Sequence, residues 1–288
     1  MILGLVLALA CAIATNIAFL FKHRGAVLAA PVQGRHPLRS AADLFHSRWF
    51  TIGWLVAIGA WVLHVAALAI APLSIVQAVL SGGLVFLAVL AERYFGFHLG
   101  RRQWVGLVVT AAGLFVIGLT TGSQDSETPG YALAALIVLE CAVLGSATVL
   151  ALLSGRLGLS PAGEGMVLGA AAGALFGVSD IALKYLTNAV GNGVLEVLSP
   201  WLVAALAASV VAFYASARGL QLGPGVEVIA LTSVAANLVA IVGGILVFRD
   251  PIGAGPLAIT GRMLAFCLVI VGAALMPAPV RASRAALP

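Results

Sequence analysis

The chain has 288 residues, 62% of them hydrophobic and only 9% charged, with a mean hydropathy of +1.14. Soluble domains carry about 25% charged residues, so this composition excludes a water-clothed globular protein and describes a polytopic membrane protein. The net charge of +5 does not point to nucleic acid, because the Lys and Arg lie in short loops between apolar runs, where they set membrane topology.

Cut at charges and turn residues, the sequence predicts nine spans, at 2–21, 51–71, 73–91, 103–120, 130–153, 164–185, 199–217, 225–248 and 256–277. Each is close to the roughly 20 residues that cross a bilayer as a helix. The first, "MILGLVLALACAIATNIAFLF", lacks a basic lead and reads as a span rather than a removed leader. Residues 22–50 follow as a basic cytoplasmic loop, the one sizeable polar segment. Ala71-Pro72 and the "GPG" at 223–225 mark tight turns. Residues 121–129 form an acidic outer loop, and 278–288 a short cytoplasmic tail. Residues 1–288 are therefore one integral membrane domain. Cys11, Cys141 and Cys267 fall inside apolar runs without metal-ligand spacing and read as small buried residues.

An N-terminus outside and a C-terminus in the cytoplasm put twelve of the fifteen Lys and Arg on the inner side. Only Lys184, Arg249 and Arg262 fall in the outer half. This bias predicts one fixed orientation for a multi-pass protein of the cell membrane.

An internal repeat is visible. Residues 68–92, "LAIAPLSIVQAVLSGGLVFLAVLAE", echo 220–250, "LQLGPGVEVIALTSVAANLVAIVGGILVFRD". Each has a Pro-marked turn, a Ser nine positions later (Ser81, Ser233) and an acid ending the helix. In the predicted topology the copies run in opposite directions, as in the inverted repeats of secondary transporters. With "VLAERYFG" and "LVFRDPIG" at the helix ends, this layout resembles the drug/metabolite transporter superfamily, EamA-like. The first span ending in "FLFKHRG" and the "FGVSDIALKYL" of the sixth are most similar to the nine-helix NIPA-type branch. The resemblance implies an all-α bundle of inverted repeats and, for that branch, magnesium transport.

No enzyme motif is present: there is no HExxH, GxSxG or P-loop. The sequence calls for no cofactor and assigns no metal ligands. Polar residues inside the spans carry the functional expectations instead. Glu140 lies near the middle of the fifth span, with Leu136, Ile137, Val143 and Leu144 as its helical neighbours and no cation on its own helix. It is protonated, paired across helices, or in contact with a transported ion. Gln77 and Ser81 lie on one face of the third span, and Ser233 and Asn237 on one face of the eighth. Such faces either pack closely or line a shared cavity. His64 is a lone polar residue that reads as an inter-helix contact. In the sixth span Gly165, Gly169, Gly173 and Gly177 form a smooth ridge. Asp180 and Lys184 continue it into the protein, four apart, as an intrahelical pair that is either structural or a gate.

The expected function is secondary transport of a small polar solute or cation by alternating access, with magnesium transport as the alternative. A non-transporting membrane scaffold or accessory subunit is the reading from a different class. The expected partners are the substrate, the bilayer and, as the one oligomer considered, a second copy in a homodimer.

Overall fold

The computed structural model describes residues 2–33, 36–96, 98–120, 132–190, 197–249 and 255–275. The acidic loop and the tail predicted at 121–129 and 278–288 lie outside them. The described residues form ten α-helices and a single 3-10 turn, with no strand among them. In chain order these are α1 (Ile2–Leu28), α2 (Pro37–His46), α3 (Arg48–Ile70), α4 (Leu73–Phe95), α5 (Arg101–Thr120), α6 (Leu133–Leu153), α7 (Pro161–Val190), α8 (Pro200–Leu222), α9 (Gly225–Leu246) and α10 (Pro256–Leu275). Seven of them, α1, α3, α4, α6, α7, α8 and α9, are long and apolar enough to cross a membrane. The other two long helices, α5 and α10, pack on one another.

Helix ends depart from the predicted boundaries where charged residues were taken as stops. α1 continues through Lys22, His23 and Arg24 to Leu28, because each basic side chain finds a partner within the fold: Lys22 the Phe19 ring, His23 the Leu220 carbonyl and Arg24 the Trp49 ring. The predicted loop 22–50 folds further: Pro37 opens α2 at its first turn, and α2 buries Ser40 and Leu44. The strand of chain between α1 and α2 is tied to the end of α8. Gln221 donates to the carbonyls of Ala26 and Ala30, and its own carbonyl accepts from the Val32 amide. Arg218 donates to the Val32 carbonyl.

The glycine ridge of α7 is a close approach between two helices. A methyl group at Gly169 would meet Val228 and Thr232, at Gly173 the Thr232 carbonyl, and at Gly177 Val239 and the Ala236 carbonyl. All of these belong to α9, so the ridge is the seat of α9. Small residues serve this purpose in a membrane, where burial in lipid gives no hydrophobic drive and packing contacts hold helices together. Gly165 seats the turn at Gly223 in the same way. Of the cysteines, Cys11 is buried as expected, whereas Cys141 and Cys267 are exposed on the outer faces of their helices. An apolar run in a membrane protein has a lipid face as well as a core face, and sequence does not distinguish them for a residue this small.

Candidate functional site

A cavity of about 590 Å³ lies between α1, α3, α4, α7, α8 and α9. Its volume falls within the roughly 300–1,000 Å³ typical of small-molecule sites. Most of its wall is apolar, with Phe19, Phe50, Trp54, Trp61, Phe176 and Phe213 among the larger side chains. The polar groups cluster in three places along it.

The first cluster centres on Asp180, the one acid lining the cavity among the described residues. His64 Nε2 lies 3.0 Å from its Oδ1, and Gln77 Nε2 donates to its Oδ2 at 2.9 Å. Three helices from distant parts of the chain, α3, α4 and α7, thus converge on one carboxylate. His64 is the inter-helix contact its solitary position suggested. Lys184, one turn further along α7, is not the partner of Asp180. Its ammonium donates to the carbonyls of Leu68 at 2.6 Å and Ala71 at 3.1 Å, at the end of α3. Pro72 follows and has no amide, and the last carbonyls of a helix lack intrahelical donors in any case. A cation is the strongest available substitute. The intrahelical pair expected from spacing loses to two inter-helix sites, because each side chain finds better-aligned partners across the bundle than along its own helix.

The second cluster lies midway. Asn16 donates to the carbonyls of Ala12 and Gly83, while its own buried carbonyl oxygen has no hydrogen-bond partner. Thr232, Ser233 and Asn237 of α9 line the same cavity. Ser179 and Ser209 join α7 to α8 at 3.0 Å. Ser81 falls on α4, but its side chain lies outside the described ones.

The third place is the α2 end, where Lys22 lines the cavity with its ammonium 4.0 Å from the Phe19 ring centroid. Phe45 of α2, Phe50 and Trp54 of α3 and Phe213 of α8 pack ring on ring at this end. Lys22 and Trp54 read from sequence as a topology charge and an interface anchor; nothing in a one-dimensional pattern says that a span-end residue turns inward.

Glu140 stands apart. It is 3% exposed and both carboxylate oxygens lack a hydrogen-bond partner, yet it does not line the cavity. It belongs to the narrow buried stripe Leu136, Glu140, Ala147 by which α6 packs chiefly on α7. Glu227 accepts from Gln103 of α5 at 2.6 Å, outside the cavity. Among the described residues no group of three or more His, Cys, Asp or Glu could hold a metal ion.

No family model matches the chain, and no solved structure does. It is similar to the probable magnesium transporter NIPA9 of Arabidopsis thaliana, with 25% identity over 292 residues covering 96% of this chain and 83% of that protein. Taken with seven helices able to cross a bilayer, this likeness supports a multi-pass membrane protein similar to a transporter.

Proposed function

We propose that the chain is a secondary transporter of the drug/metabolite type that carries a small polar solute or cation through the central cavity by alternating access, with Asp180 as the substrate-binding carboxylate. The observation that carries this reading is the convergence of His64 and Gln77 on Asp180 at the cavity wall. A carboxylate inside a membrane is costly and is retained where it meets a substrate, an ion or a proton. Nine spans in two inverted repeats are part of the proposal, and the packing pattern supports it. α1 packs on α3 as α7 packs on α8, α1 on α4 as α7 on α9, and α1 on α8 as α3 on α7. α5 and α10 pack on each other, as symmetry mates would, although α5 leans on α4 far more than α10 does on α9.

Magnesium is the second reading, favoured by the name of the plant relative. Protein sites for this ion commonly supply one or two carboxylates and leave several waters in place. Asp180 with the amides and hydroxyls of Asn16, Thr232, Ser233 and Asn237 suits a hydrated ion better than a bare one. The test is flux into proteoliposomes of purified protein, with magnesium and a panel of small organic cations and neutral polar solutes offered in turn. Wild-type uptake of one class, reduced at least about ten-fold by Asp180→Asn, is the expected result, since removing a hydrogen bond to a charged group costs about 1.5–3 kcal/mol. Undiminished uptake by Asp180→Asn would overturn the assignment.

A further inference from the structure

The cation or solute proposed above is met by Asp180 and the polar groups of the middle cluster, and the apolar wall of the cavity needs its own account. The register of α1 against α4 sets the scale. Gly4 meets Ala71, Asn16 meets Gly83, and the Phe21 and Phe95 rings touch, so the two helices run parallel. Gln77, six residues before Gly83, is therefore about level with Cys11 on α1. Lys22 lies about 16 Å further along at about 1.5 Å per residue. Between these levels lies the Asn16 cluster, and the rest of the wall is apolar, with Phe19, Ile58, Trp61, Phe176, Leu206 and Phe213.

The wall is open on one side. α3 and α8 flank the cavity without packing closely on each other. Their cavity-lining residues are also the most exposed: Ile58 is 49% exposed, Trp61 56% and Leu206 58%. Both helices are membrane-spanning candidates, so this seam faces hydrocarbon. It is bounded below by the Trp54–Phe213 ring contact, which joins α3 to α8.

At the lower end, Lys22 has no acidic partner among the described residues. Its aliphatic stem is fixed against Gly53, where any side chain would strike it, and its ammonium rests near the Phe19 face. Basic pockets between spans are sites for acidic lipid headgroups. Asp180 disfavours an anion at the upper end, which fixes the polarity of any charged guest.

We infer that the lower cavity is a binding site for an anionic lipid of the surrounding bilayer, which enters sideways between α3 and α8, lays an acyl chain along the aromatic wall and sets its acidic headgroup on Lys22. The inference deepens the transporter reading by adding a second occupant of the same cavity. It concerns binding alone, so it stands or falls independently of flux and of Asp180.

The test is displacement of a fluorescent undecanoic acid from the full-length protein in a neutral maltoside detergent, using dodecanoate, dodecanol and dodecylammonium as competitors. Dodecanoate should compete at least about ten-fold better than dodecanol, as a charge-assisted contact implies, and Lys22→Gln should remove that preference. Leu206→Trp, which fills the seam without touching Lys22, should weaken all three. Inorganic phosphate should not compete. Equal competition by dodecanoate and dodecanol in the wild type overturns the inference without reference to any variant. So does a dodecanoate preference that survives Lys22→Gln, stronger competition by dodecylammonium, or displacement by phosphate alone, which would mark a simple anion site. Unchanged binding in Leu206→Trp would remove the seam from the route.

Discussion

The α7–α9 contact gives a prediction whose sign depends on geometry alone. Gly173→Ala adds one methyl group, and that methyl would collide with the carbonyl of Thr232 and lie 2.9 Å from the Ala235 Cβ. The obstacle is backbone, so no side-chain rotation relieves it, and α9 must move away from α7. Overpacking of this kind costs about 1–3 kcal/mol. The same movement lengthens the bond from Thr232 Oγ1 to the Gly169 carbonyl, now 3.0 Å, adding about 1 kcal/mol. Less the gain of about 0.5–1 kcal/mol from replacing a mid-helix glycine, the expected loss is about 1–3.5 kcal/mol. Gly145→Ala on α6 is the control: nothing lies within 4 Å of its added methyl, and replacing a mid-helix glycine gains about 0.5–1 kcal/mol. Reversible unfolding in mixed dodecylsulfate micelles would read both. Gly173→Ala as stable as wild type, or the two variants shifting the same way, would refute the claim that backbone contact sets the α7–α9 distance.

Further predictions concern single residues. Lys184→Met should destabilise the protein by about 1.5–3 kcal/mol in the same unfolding measurement, because two carbonyls at the end of α3 lose a charged donor; no change would mean that water already serves them. Glu140→Gln should abolish concentrative uptake while leaving substrate binding to the detergent-solubilised protein unchanged, since Glu140 is buried and outside the cavity; wild-type uptake would reduce it to packing between α6 and α7. Ser179→Cys with Ser209→Cys should form a disulfide under mild oxidation, given hydroxyls 3.0 Å apart, detected as a mobility shift after cleavage between α7 and α8. Reporter fusions after Thr120 and at the C-terminus should read outside and cytoplasmic respectively, and the reverse would invert the proposed orientation.

Much of the bundle was legible because hydropathy and length are one-dimensional properties: all seven span-competent helices overlap predicted spans. The glycine ridge was legible too, since a four-residue repeat of missing side chains has one meaning on a helix. Which residues meet across helices was not. Asp180 and Lys184 at i and i+4 looked like a pair, but His64 and Gln77 on the one side and the Leu68 and Ala71 carbonyls on the other lie more than a hundred positions away in sequence. Glu140 looked most central of all because it was judged along its own helix. Its distance from the cavity depends on how α6 docks, through a stripe of three buried residues. Lys22 was hidden for the opposite reason: basic residues at span ends are expected everywhere, so one that turns inward leaves no mark in the sequence.

The partners of α7 have a consequence for how the chain is made. A charged side chain in a span raises the cost of transfer into lipid, by about 2.5–3.5 kcal/mol at the centre, and α7 carries Asp180 and Lys184. Among the described residues, the groups that receive them, His64, Gln77 and the carbonyls of Leu68 and Ala71, are N-terminal to α7. When α7 leaves the ribosome, its acceptors already lie in the bilayer, so its insertion is assisted by earlier product of the same chain. A fragment beginning at residue 133, synthesised alone, should stall at α7 or be degraded, and co-expression of residues 1–132 should rescue it. The order of genes after an artificial split would then matter as much as the contacts themselves.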